Sequence, residues 1–121
     1  MNSPDNRYQV MRGDFYEIRM GSPQFASLKI SNSPCQTVGR SFGELVSFSS
    51  DSKYLAAEEL TKWSPPETRA VVFNVESGQE FIAHVQAPGF IKQLNWQPSG
   101  ALNIHAWSHI AGDSIHTWKV S

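Results

Sequence analysis

Cysteine occurs once in these 121 residues, at Cys35, so no internal disulfide can form and a bridge-stapled scaffold is excluded. Standing beside Ser33 and Pro34 in an expected turn, that thiol reads as unreactive and suits a reducing compartment. Excess charge is missing as well. Ten lysines and arginines face eleven acids for a formal net charge of −1, which leaves no bulk attraction to nucleic acid or to an anionic membrane. No run approaches the ~18 apolar residues of a membrane span. The opening Met1-Asn2-Ser3-Pro4-Asp5-Asn6 has neither the basic head nor the apolar stretch of a signal segment, and a cytoplasmic protein is expected. Helical periodicity is absent too: no dozen residues hold apolar spacings of three and four, and Glu58 to Trp63 would supply barely one turn.

The chain carries 40% hydrophobic and 12% aromatic residues, enough for one core, and its patterning is that of strands. Residues 1–6 are polar and contain proline, so a flexible N-terminus is expected, followed by a single β domain over 7–121. Tyr8 and Val10, then Phe15, Ile18 and Met20, form two apolar runs around Arg12-Gly13-Asp14, which reads as a hairpin turn rather than an adhesion tripeptide. Ala26, Leu28 and Ile30 alternate with Ser27 and Lys29 in a third strand. Ser31-Asn32-Ser33-Pro34 is turn chemistry. A strand over Glu44 to Phe48, a turn at 49–52 and a strand over Lys53 to Glu58 make a hairpin. Leu60 to Thr68 holds Pro65 and Pro66, which remove ladder donors, and a protruding loop is expected. Arg69 to Val75 is rich in β-branched and aromatic residues. Glu76-Ser77-Gly78-Gln79 turns it into Glu80 to Val85, and after Pro88-Gly89 come strands over 90–96, 102–107 and 115–120, with a link at 109–113.

One phrase is repeated. Phe48-Ser49-Ser50-Asp51-Ser52-Lys53-Tyr54-Leu55 returns as Trp96-Gln97-Pro98-Ser99-Gly100-Ala101-Leu102-Asn103, and the strand ending in Phe73-Asn74-Val75 returns as the one ending in Trp118-Lys119-Val120. A period of about 45 residues built from short strands marks a repetitive β architecture. Over residues 44–121 these motifs resemble the strand-turn-strand elements of WD-repeat β-propeller blades. Here Phe73-Asn74 and Trp118-Lys119 stand where that family carries tryptophan-aspartate. The resemblance implies residues 7–43 as divergent N-terminal strands, 44–85 as a first blade-like unit and 86–121 as a second. A closed propeller needs at least ~4 blades, so the chain is too short to close one alone. The expected fold is all-β: an antiparallel meander of blade-like hairpins forming an open curled sheet or a β-sandwich.

Candidate chemistry is sparse. His84, His105, His109 and His116 invite a metal, but His105 and His109 would share a face only on a helix, and no metal or other cofactor is expected. Ser108-His109 and Asp113-Ser114 hold the residue types of a hydrolase without a glycine-framed serine elbow or a phosphate-cradling loop. Trp96 and Trp118 occupy the repeat positions of Phe48 and Phe73 and are expected in the core. Trp63, in the proline loop, reads as an edge lid or a partner anchor. The expected function is therefore a non-catalytic protein-protein interaction module that presents Glu58, Glu59, Trp63, Glu67, His109 and Asp113 on one side, with a monomer favoured and the oligomeric state left open. An immunity protein plugging the basic site of a bacterial toxin is one form of it. A self-assembling propeller segment and a small hydrolase or ligand-binding enzyme are the alternatives.

Overall fold

A computed structural model describes residues 1–18 and 21–120; Met20, the expected end of the second N-terminal run, lies outside the described residues with Arg19 and Ser121. Among the described residues eleven strands follow in chain order: β1 (Val10–Arg12), β2 (Tyr16–Glu17), β3 (Gln24–Ala26), β4 (Leu28–Ile30), β5 (Ser41–Phe48), β6 (Tyr54–Trp63), β7 (Pro66–Asn74), β8 (Glu80–Gln86), β9 (Phe90–Trp96), β10 (Leu102–Ser108) and β11 (Gly112–Trp118). They form open antiparallel sheets, with no helix among the described residues. A six-stranded sheet in the order β2-β3-β5-β6-β7-β8 is the middle layer, the β1-β4 pair covers one face, and β11-β10-β9 covers the other.

Both faces of the middle sheet are apolar, and that decides the layering. Leu55, Ala57, Val71 and Phe73 pack on Tyr8, Val10, Leu28 and Ile30, while the alternate residues Ala56, Ala70 and Val72 pack on Ile91, Leu94, Leu102 and Ile104. Period-two alternation normally divides core from water, but in β6 and β7 it divides one core from another. Alanine at 56, 57 and 70, each fully buried, leaves room for the larger side chains of the outer layers.

The two repeated phrases fold as comparable hairpins. In the first, the Ser49 amide donates to the Tyr54 carbonyl and the Ser52 amide to that of Ser49; in the second, Gln97 donates to Ala101 and Gly100 to Gln97. Ser52 and Gly100 take the same left-handed conformation, at φ 63° and 89°. Glycine does so at no steric cost. Serine at 52 is held there because its buried hydroxyl accepts the Asp5 amide at 2.9 Å. Phe48 and Phe73 face the β1-β4 layer, and Trp96 and Trp118 face the middle sheet, so each pair of rings packs toward the layer that precedes its own.

Five expectations are corrected. Residues 1–6 are not loose: Asn2 bridges Gln9, Ser3 is buried, and its amide donates to the Tyr8 carbonyl. Arg12-Gly13-Asp14 does not close a hairpin. The Arg12 guanidinium turns inward onto the carbonyls of Ser27, Gly43 and Phe42, which sends β1 to β4 and β2 to β3. The expected strand over 25–30 breaks at Ser27 for the same reason, β3 joining the middle sheet and β4 the outer pair. Pro65 and Pro66 do not make a protruding loop. Trp63 pairs with Pro66 across a two-residue turn, and proline is tolerated as the first residue of a strand. At the other end of the chain, β11 starts at Gly112, so the last link is shorter than expected.

Candidate binding end

The β6-β7 turn and the β10-β11 turn are far apart in sequence and emerge at the same end of the layers. Between them Ser64, Pro65, Pro66, Phe90, Trp107, His109 and Ile110 line a cavity of about 310 Å³. Aromatic rings form its floor. Phe90 and Trp107 lie 6.4 Å apart at 17°, and His109 meets Trp107 edge-on at 4.6 Å. Phe90 and Trp107 also line a second cavity of about 160 Å³, with Pro23, Ile91 and Lys92. Trp63 stacks on Tyr16 at 5.7 Å, yet 58% of it remains exposed, and Ile110 is 85% exposed.

Hydrogen bonds fix this end rigidly. Gly89 donates to the Pro66 carbonyl at 3.0 Å and accepts the Thr68 hydroxyl at 3.0 Å, and Ser108 accepts the Ala111 amide at 2.9 Å. Gly89 has φ 138°, and a Cβ there would run into the Trp107 carbonyl. Gly89→Ala is expected to cost about 2 kcal/mol, read as a lowered urea midpoint. An unchanged midpoint would show that the two turns are not locked together.

Of the six residues expected to meet a partner, Trp63 and His109 are brought to this end. Glu67 is half-buried, and its carboxylate accepts the Thr61 hydroxyl at 2.7 Å. Asp113 projects from the outer face of the three-stranded sheet, against His105 at 3.1 Å and Lys92 at 3.6 Å. Glu58 and Glu59 are corrected outright: both are buried, because β6 is covered on either side. Glu58 accepts the Ile91 amide at 2.6 Å, and burial pushes its carboxyl up to about 7 despite that bond and the Thr68 hydroxyl. Glu59 faces the opposite layer. Burial pushes it up, but hydrogen bonds from Arg40 and Arg69 outweigh that and hold it below its ordinary value. Tyr16, Pro65, Phe90, Trp107 and Ile110 are not among the residues expected to meet a partner. The readable signal was Ile110, an aliphatic residue in a polar turn.

Other reactive groups sit elsewhere. Ser114 Oγ lies 2.9 Å from His116 Nε2, whose ring stacks on His84 at 3.8 Å. Burial, and then the neighbouring His84, lower the His116 pKa. The nearest acid in sequence, Asp113, projects from the other face of β11, so nothing shown orients that imidazole as a catalytic base. No three metal-ligating side chains converge among the described residues. Burial raises the Cys35 thiol above its usual pKa, which disfavours the nucleophilic thiolate. Comparisons with protein-family models, with curated proteins and with solved structures find no match.

Proposed function

We propose that this chain is a non-catalytic protein-binding module whose docking surface is the aromatic end around Trp63, Trp107, His109 and Ile110. The carrying observation is the pair of cavities that share Phe90 and Trp107, the larger walled by the β6-β7 and β10-β11 turns and lined by the exposed Ile110, with the exposed Trp63 next in sequence to its Ser64 wall. A half-buried tryptophan, Trp107, lining a preformed apolar cleft is the arrangement from which binding hot spots are built. Two adjacent hollows suit an extended segment of another protein carrying aliphatic or proline side chains at alternate positions.

The more specific immunity-protein reading required carboxylates around the anchor. With Glu58 and Glu59 inside the fold, the surface favours an apolar partner over a basic toxin site. The propeller-segment alternative requires an apolar outer face for the next blade. The outer face of β9-β10-β11 instead carries Gln93, Asn95, Asn103, His105 and Thr117 around the exposed Ile115, a mostly polar surface fitted to water rather than to another layer.

The test is to select linear peptides from a random phage-displayed library and measure their affinities by fluorescence polarisation. The selected peptides are expected to be rich in proline and aliphatic residues. Trp63→Ala and Ile110→Asp should each weaken binding about tenfold or more, while Ile82→Asp, at an exposed apolar position on β8, should leave it unchanged. Equal affinity for all these variants would overturn the assignment.

A further inference from the structure

Open sheets end in edges, and proteins guard edges that are not meant to pair. β2 is a two-residue edge, too short to template a partner. The β8 edge is broken by a register shift opposite Ala70 and Val71, and the β9 edge by a shift that leaves Lys92 without a cross-strand partner. β11 carries none of these devices. All seven of its residues pair in unbroken register with β10, it contains no proline or lysine, and Ile115 is 70% exposed. In the first repeat the place beside the third strand, β7, is filled by β8. In the second repeat nothing described lies beside β11.

The residues of β11 suit pairing with themselves. Laid antiparallel about Ile115, the strand sets Ile115 opposite Ile115 of the second copy, Ser114 opposite His116, Asp113 opposite Thr117 and Gly112 opposite Trp118. The hydroxyl-imidazole bond that one chain closes internally at 2.9 Å could then also be made across the seam. Asp113 gains a hydroxyl partner, and Lys119, one step beyond Thr117 on the same face, stands diagonal to it with opposite charge. The large Trp118 meets the smallest residue. Ile115 meets its own copy once, on the axis, each of the other pairs occurs twice in a two-fold arrangement, and no like charges are opposed.

We propose that the free edge of β11 is the seam of a two-fold homodimer, in which the three-stranded sheets of two copies join into one continuous antiparallel sheet. Sedimentation equilibrium should give twice the single-chain mass, dissociating on dilution. Ile115→Lys, which places two ammonium groups face to face on the axis, should abolish the dimer while circular dichroism stays unchanged. In a Cys35→Ser background, Ile115→Cys should cross-link on oxidation and Thr117→Cys should not, because only residue 115 meets its own copy. A single-chain mass at every concentration, a trimer or larger ring, or a dimer indifferent to Ile115→Lys would overturn the seam. The peptide-binding result at the Trp63 end is read separately, so either proposal can fail alone.

Discussion

Arg40→Met is expected to destabilise the protein by about 3 kcal/mol, enough to lower the thermal midpoint by roughly 12 °C in a domain of this size. The guanidinium of Arg40 gathers two glutamates. Its Nε and Nη2 donate to Glu59 at 2.7 and 2.9 Å, its Nη1 and Nη2 to Glu80 at 2.8 and 2.7 Å, and Nη1 also to the Gln36 carbonyl at 2.7 Å. Phe42 and Phe73 lie beneath it, with ring centres 5.3 and 5.4 Å away. One side chain thereby fastens the connection before β5 to β6 and β8. Methionine can cover the rings but leaves the buried Glu59 with Arg69 alone, and an under-partnered carboxylate inside a fold is costly. Arg40→Lys should fall between the two, because an ammonium cannot make the two-pronged contacts. The loss should shrink in acid, where Glu59 is protonated and needs no counter-charge. A Met variant within about 0.5 kcal/mol of the parent, by urea unfolding at neutral pH, would refute a structural role for the cluster.

The legible part of this fold is the part written in local chemistry. Serine, aspartate and glycine at 49–52 and 97–100 specify turns that the backbone then makes, and the β-branched run before Val75 becomes a central strand. The N-terminal third was misread because its pairing is set at a distance. Nothing near Arg12 announces that its guanidinium will bind carbonyls on the strand that ends at Phe48, yet that contact is what separates β1 from β2. The candidate site divides in the same way. Trp63 could be found because a large ring beside two prolines has no guaranteed cover. Trp107 and Phe90 look like ordinary inward strand residues, and only the meeting of two remote turns makes them a floor. Glu58 and Glu59 were placed at the surface on the rule that residues flanking a proline-containing loop share its exposure. That rule fails where a strand is covered on both faces.

Those two glutamates, neighbours in sequence and facing opposite layers of β6, should give the stability profile two limbs of opposite sign. Glu59 is held below its ordinary pKa, so its contribution is present above the unfolded value and fades as the pH falls through the folded one. Glu58 runs the other way. Its folded pKa is about 7 against an unfolded value of 4.5, so between these the native state keeps a proton that the unfolded chain has released. That contribution is full below the unfolded value and is lost as the pH rises through about 7, a total of about 3 kcal/mol at 1.36 kcal/mol per unit. Glu58→Gln keeps an oxygen to accept the Ile91 amide and has no proton to lose. The variant should therefore match the parent in mild acid and exceed it by up to ~3 kcal/mol in mild base, as measured by urea unfolding across pH. If parent and variant stay parallel from acid to base, Glu58 ionises as freely in the folded chain as in the unfolded one. The carboxyl could not then be sealed between β6 and β9, and the packing of the middle sheet on the three-stranded sheet would have to be looser than these distances allow.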